Sequence, residues 1–214
     1  MPNTITTISL LLGSAHFFSD EIIGTQIKSP VELMLQLIKG TGRQLTYTEE
    51  ARVERLIRFL EQELLNPPGV DGWAGHHNWI STNSLPLRWV YSDYLLSGGS
   101  SISKATLLPM ADELYDRYDP HAAFFLPAAI AEHFLAVSLD MVDIPEVDEE
   151  FAGDLNTFPI PAEVLAAPPY VRNLAKIFLG SMPWYEWDLS NTGSNDRVIE
   201  FVKHIVRYPE YQLM

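Results

Sequence analysis

The residues best suited to chemistry in this chain lie within one short segment. His76 and His77 are adjacent, Asp71 lies just before them, and Arg88 follows. Imidazole and carboxylate groups bind zinc and also act as general acids and bases. A guanidinium can hold a carboxylate. One hypothesis is therefore a hydrolase site, possible with or without a metal, that contains these four residues.

The spacing of the two histidines argues against a metal site. Neighbouring side chains on an extended backbone point to opposite sides. No His-x-x-x-His or His-x-x-Glu-His motif accompanies the pair, although Asp93 is also near in sequence. We therefore predict no metal and no cofactor, and a structural or solvent-exposed role for the histidines.

The segment 67–80 that carries these residues is predicted to be a shaped loop. Its two prolines remove backbone donors, and its three glycines permit positive φ. Trp73 and Trp79 give it apolar area to bury. We expect a packing centre in preference to a docking surface. The candidate residues of the loop and the helix after it are Pro68, Asp71, Gly72, Trp73, Gly75, His76, His77, Trp79 and Arg88.

Two later segments carry weaker signals. Asp188 to Asp196 has oxygen side chains at alternate positions, but Ile199 occupies the twelfth position, where a calcium loop needs a carboxylate. This segment is better interpreted as the N-cap of the final helix. Trp184, Tyr185 and Trp187 could stack a sugar or a peptide, although aromatic clusters more often seal a core edge.

Helical patterns flank the loop on both sides. Ser29, Pro30 and Glu32 form the signature of a capping box. Pro127, with two earlier prolines, interrupts the pattern between 100 and 127, where only short helices are expected. The predicted helices cover 4–18, 30–38, 48–64, 84–97, 128–137, 171–182 and 198–206.

The fold class that follows is all-α, an irregular multi-helix bundle with long structured loops. No sustained period-two alternation or Asn-Gly hairpin signal indicates a sheet. We predict one helical domain over 1–214, with a weak sub-boundary at 98–101, where two glycines precede two serines. The acidic segment 140–154 is expected to be an exposed connection.

Composition excludes several classes of function. A net charge of −14 repels phosphate backbones, so no nucleic-acid partner is expected. No apolar run approaches the length of a transmembrane helix. The absence of cysteine excludes disulfides and a thiol nucleophile.

Three motifs carry a resemblance to a known family. LLGSAHFFSDEIIGTQIKSPVEL, LLNPPGVDGWAGHHNWISTNSLPLRW and RYPEYQLM resemble the C-terminal half of a bacterial family, the domain of unknown function numbered eighteen hundred. Gly69, Asp71 and the histidine pair depart from the family pattern. The matching residues are Lys28, Ser29, Pro30, Glu32, Pro67, Pro68, Val70, Gly72, Trp73, Gly75, Trp79, Arg88, Pro209, Glu210, Tyr211 and Gln212.

The resemblance implies a partner and a location, but no catalytic residues. It implies a missing N-terminal half as the partner, an exported setting, and a role for Arg88 in binding loop carbonyls or Asp71. Two hypotheses follow. The first is a non-catalytic helical scaffold or binding half organised around the loop. The alternative is the hydrolase, with its site shared with the missing half. A carbohydrate-binding role through residues 184–187 is a third, weaker option.

Overall fold

The protein is all-α, as predicted. A computed structural model describes residues 4–15, 19, 24–99 and 101–214. In these residues there is no β-strand, and the two isolated bridges join Ile27 to Leu213 and Gly99 to Ile102. The α-helices are α1 (Thr4–Leu12), α2 (Pro30–Gly40), α3 (Tyr47–Phe59), α4 (Ser84–Ser97), α5 (Leu108–Leu114), α6 (Ala122–Phe134), α7 (Ala162–Ala166), α8 (Pro169–Leu179) and α9 (Ser194–Ile205).

Capping boxes fix the starts of α2 and α3. The Glu32 carboxylate accepts the Ser29 backbone N–H at 2.7 Å, and the Ser29 hydroxyl accepts the Glu32 N–H in return. The same reciprocal pair joins Thr46 and Glu49, so α3 begins one residue before the predicted Thr48. Each box satisfies two donors that a helix start leaves without an intrahelical partner.

The predicted break at Pro127 is wrong. Pro127 lies inside α6, which runs from Ala122 to Phe134, and nine of its thirteen residues are buried. A proline inside a helix costs about 3 kcal/mol. The side chains of Phe124, Ile130 and Phe134, each fully buried, offset this cost, since burial of one such residue contributes about 1.5–3 kcal/mol.

The hydrophobic core surrounds α6 and α8. These two helices make the most extensive contact in the described chain, and α9, α5 and α2 also pack against α6. The core includes residues on both sides of the suggested boundary at 98–101, such as Leu96 and Ile102. The single-domain assignment stays a prediction.

The loop 67–80 is not the packing centre, so that expectation is wrong. Trp73 and Trp79 are only half-buried, and neither indole belongs to the core cluster or to the side chains packed on it. Val70 at the loop tip is fully exposed. The loop is instead joined to α4 by a side-chain to backbone bond, since the Ser84 hydroxyl donates to the Trp79 carbonyl at 2.9 Å.

Candidate functional site

The loop residues proposed for chemistry face solvent. Gly72 and Gly75 adopt positive φ, as expected, and residues 76–79 form a short 3-10 helix. Asp71, His76 and His77 are exposed. The imidazoles meet edge to face with centroids 4.1 Å apart. In the ranges that the structure covers, no group of three or more His, Asp or Glu side chains is placed to hold a metal ion.

Arg88 does not bind the loop, contrary to the role that the resemblance implied. Its Nε donates to Oε1 of Gln212 at 2.8 Å, and its Nη2 donates to the Lys28 carbonyl at 2.7 Å. Ser84, Arg88 and Ser92 are buried at four-residue spacing, which places them on one inward face of α4. This face meets the C-terminal segment, so Arg88 lies inside the protein.

A separate cleft of about 480 Å³, lined by none of the loop residues or Arg88, collects aromatic side chains. It contains the three aromatic residues of the sugar-stacking hypothesis. Its floor comes from the start of α6. The lining residues are Tyr115, Arg117, Tyr118, Asp119, Pro120, Ala122, Ala123, Leu126, Phe158, Trp184, Tyr185, Trp187, Asp188 and Leu189.

The core holds one wall of this cleft in place. Residues 184–186 form a 3-10 helix, and the Trp184 ring lies against Phe124, with centroids 5.2 Å apart. Trp187 places its ring edge-to-face with that of Phe178 at 4.6 Å. Both phenylalanines are fully buried, so the indoles that line the cleft are anchored from behind.

A stacked pair extends this wall. Tyr185 and Phe158 stack with centroids 4.1 Å apart and planes 25° apart. The Tyr185 hydroxyl accepts the backbone N–H of Asp154 at 2.9 Å. Gly153 has φ +105°, and a Cβ built on it would lie 2.9 Å from Pro183 and closer still to the Tyr185 hydroxyl. A glycine is needed there because the ring and the backbone approach each other so closely.

The polar groups of the cleft are two carboxylates, three tyrosine hydroxyls and Arg117. The Tyr115 hydroxyl donates to Oδ2 of Asp119 at 3.1 Å, and burial, reinforced by Asp119, raises the pKa of Tyr115 to about 12. Hydrogen bonds from Ser190 lower the pKa of Asp188, which therefore stays ionised at neutral pH. Arg117 forms an ion pair with Asp112.

Sequence reasoning missed half of this cleft. Tyr115, Tyr118 and Asp119 fall in the segment where prolines obscured the helical pattern, and Phe158 follows the acidic connection. The spacing of the two tyrosines before an aspartate was the available signal. This spacing does not predict a cleft by itself, because the cleft forms only where the fold brings residues 184–187 beside these side chains.

The family described as protein of unknown function (DUF1800) matches residues 5–213. The chain belongs to this family. Neither the curated proteins nor the solved structures gave a match. The DUF1800 match spans nearly the whole chain and gives no support for a missing N-terminal half. Within the covered ranges, none of the helices has the length and apolar character needed to cross a membrane.

Lys28 of the first motif named above, Arg88 of the second, and Tyr211 and Gln212 of the third meet in one buried cluster. Lys28, only 2% exposed, donates from Nζ to the Tyr211 carbonyl and lies 4.3 Å above the Tyr211 ring. Arg88, 0% exposed, bonds Gln212 beside it. Backbone bonds add to the cluster, since the Lys28 N–H donates to the Gln212 carbonyl at 2.8 Å. Residues far apart in the sequence are thus held together.

This cluster is electrostatically unusual because, among the described residues, neither of its two cations forms an ion pair with a carboxylate. Burial, reinforced by Arg88, lowers the pKa of Lys28 to about 8. Burial also lowers the pKa of Arg88 to about 10. Arg88 Nη1 and the Tyr211 hydroxyl are buried and accept or donate no hydrogen bond within the described chain. The cluster therefore stabilises the fold only through its remaining hydrogen bonds and packing.

Proposed function

We propose that this DUF1800 domain is a non-catalytic binding domain that takes a neutral carbohydrate in the aromatic cleft. The supporting observation is the combination of aromatic walls, anchored from behind by the core, with ionised or hydrogen-bonded carboxylates in the same lining. Ligand sites are typically concave and aromatic, with a few polar groups that fix orientation.

A sugar ring matches both kinds of surface. Its C–H face is apolar and packs on aromatic rings, while its hydroxyls donate hydrogen bonds to carboxylates. Tyr118, at 86% exposed, offers an accessible ring at the cleft edge. Asp188 and Asp119 lie beside it as acceptors.

Charge favours a neutral sugar over an anionic one. The chain carries a net charge of −14, and the cleft adds Asp119 and Asp188. The nearest cation, Arg117, already pairs with Asp112. Polyanionic glycans would be repelled at long range and would find no unpaired cation in this lining.

The hydrolase alternative has weaker support. Asp71, His76 and His77 are exposed, and Arg88 is buried against Gln212. In the cleft itself, the lowered pKa makes Asp188 unsuitable as a general acid, which requires a raised pKa. New reducing ends released from an oligosaccharide would favour the hydrolase and contradict a purely binding role.

The binding role is tested by calorimetric titration of the chain with neutral cello-, malto- and chito-oligosaccharides. We expect saturable binding with at least one series, accompanied by a change in tryptophan emission from the cleft indoles. Tyr118→Ala should weaken binding about tenfold, equivalent to about 1.4 kcal/mol. Tyr47→Ala is a matched control, because Tyr47 is 85% exposed and lies on α3. Absence of binding to all three series would refute the proposal.

A further inference from the structure

A second cleft shares Trp187 with the first. It has a volume of about 470 Å³, close to that of the first. Met182, Thr192, Asp196, Arg197 and Glu200 also line the second cleft.

The same stretch of chain joins the two clefts. Asp188 and Leu189 line the first, and residues 191–194 line the second. The stretch is fixed by its own hydrogen bonds: Asn191 Nδ2 donates to the Glu186 carbonyl at 3.1 Å, and the Ser194 hydroxyl donates to the Asp188 carbonyl at 2.7 Å. One rigid rim therefore passes along both clefts.

The second cleft has an apolar surface with a few charged groups along it. Asp196 forms an ion pair with Lys104, and Glu200 forms one with Lys203 at 2.7 Å. Arg197 donates to the Phe178 carbonyl at 3.3 Å. Such a lining offers hydrogen-bond donors and acceptors to hydroxyl groups beside the apolar surface of Trp187 and Met182.

We propose that the two clefts form one extended site for a linear neutral oligosaccharide, with Trp187 as the shared platform between consecutive sugar units. This inference rests on the proposed function and adds the length and path of the ligand. A chain crossing Trp187 would stack units on the aromatic side and hydrogen-bond the following units to Thr192, Arg197 and Glu200. Its affinity would grow with length because one indole serves two neighbouring units.

The test is a length series of one linkage type, from one to six units, titrated into the whole chain by calorimetry. We expect at least a tenfold gain in affinity between one or two units and four or more. Glu200→Ala removes a group that lines the second cleft and not the first, and it should reduce affinity several-fold for the long ligands only. Glu200→Gln, which keeps the hydrogen-bonding shape, should retain most of the affinity.

Each of the other possible results contradicts either the extended site or the sugar-binding function. Equal affinity at every length would overturn the extended site while leaving the sugar-binding function intact. A gain with length that neither Glu200→Ala nor Trp187→Phe alters would place the longer ligand elsewhere and also overturn the inference. No binding at any length would refute the proposed function itself. Trp187→Phe keeps an aromatic ring against Phe178, so we expect this variant to fold. Circular dichroism checks that it does.

Discussion

Two proline-led segments of this protein each carry two tryptophans, yet they lie in different environments. In the loop 67–80, Trp73 and Trp79 are half-buried and contact none of the core cluster. In the segment 183–187, Trp184 and Trp187 pack on buried phenylalanines. A proline begins the loop in both cases, but an indole becomes a structural anchor only where the core presents a ring to meet it.

The largest expected effect concerns Arg88, which the resemblance assigned to the loop and the structure assigns to the C-terminal segment. Arg88→Ala removes two charge-assisted hydrogen bonds and leaves buried acceptors on Gln212 and Lys28 unpaired. We expect a loss of about 3 kcal/mol in the free energy of unfolding, from charge-assisted bonds worth about 1.5–3 kcal/mol each. Hydrogen exchange should accelerate at residues 209–214 and stay unchanged at 67–80. Acceleration confined to the loop would restore the loop-binding role.

The next prediction compares the two kinds of tryptophan directly. Trp184→Ala should destabilise the protein by about 2–3 kcal/mol, at or below the lower end for core aromatic residues because the ring is only partly buried. Trp73→Ala should cost less than about 1 kcal/mol, since its indole contacts no core side chain. Urea unfolding measures both. Equal losses would show that the loop is a packing element after all.

A pair of glycines gives a smaller contrast. Gly153→Ala places a Cβ against Pro183 and Tyr185 at φ +105°, so we expect a loss of about 2 kcal/mol and weaker sugar binding. Gly69→Ala meets nothing within 4 Å at ordinary φ and should be neutral or stabilise by up to about 0.5 kcal/mol. Thermal unfolding separates the two, and a harmless Gly153→Ala would contradict the close packing behind Tyr185.

The smallest effect is a pH dependence from Lys28. Its pKa is about 8 in the folded protein and 10.5 without burial, so between these values the unfolded chain binds more protons. The free energy of unfolding should therefore rise with pH, by about 1 kcal/mol from pH 7 to pH 9. Above pH 10 the raised pKa of Tyr211 opposes this trend. Lys28→Met should show a flatter profile over the same range, and an identical profile would refute the assignment.

The sequence predicts most of the helices but not their surroundings. Capping boxes at Ser29 and Thr46 act within one turn, so local pattern is sufficient for the start of α2 and close for α3. The break predicted at Pro127 does not occur, because burial of α6 against the surrounding helices stabilises it despite the proline. Arg88 is buried because it lies on the inward face of α4. The sequence did not predict this, because apolar and polar residues are hardly separated between the faces of this helix.

The candidate site was predictable only in part, for the same reason. Trp184, Tyr185 and Trp187 stand out as an aromatic run. Tyr115 and Phe158 join them through packing that spans distant parts of the chain, and no local spacing encodes that. The choice between the two tryptophan segments depends on Phe124 and Phe178, which belong to other helices.

The cluster that joins Lys28 to Tyr211 also sets an order of events during synthesis. Its two ends are 183 positions apart, and at ribosomal rates of 5–20 residues per second roughly 10–40 s separate their appearance. The bond between Arg88 and the Lys28 carbonyl needs only early residues, whereas the bonds to Tyr211 and Gln212 cannot form until the 209–212 turn has been made. We therefore expect the burial of the two cations to be completed only after translation has passed Gln212.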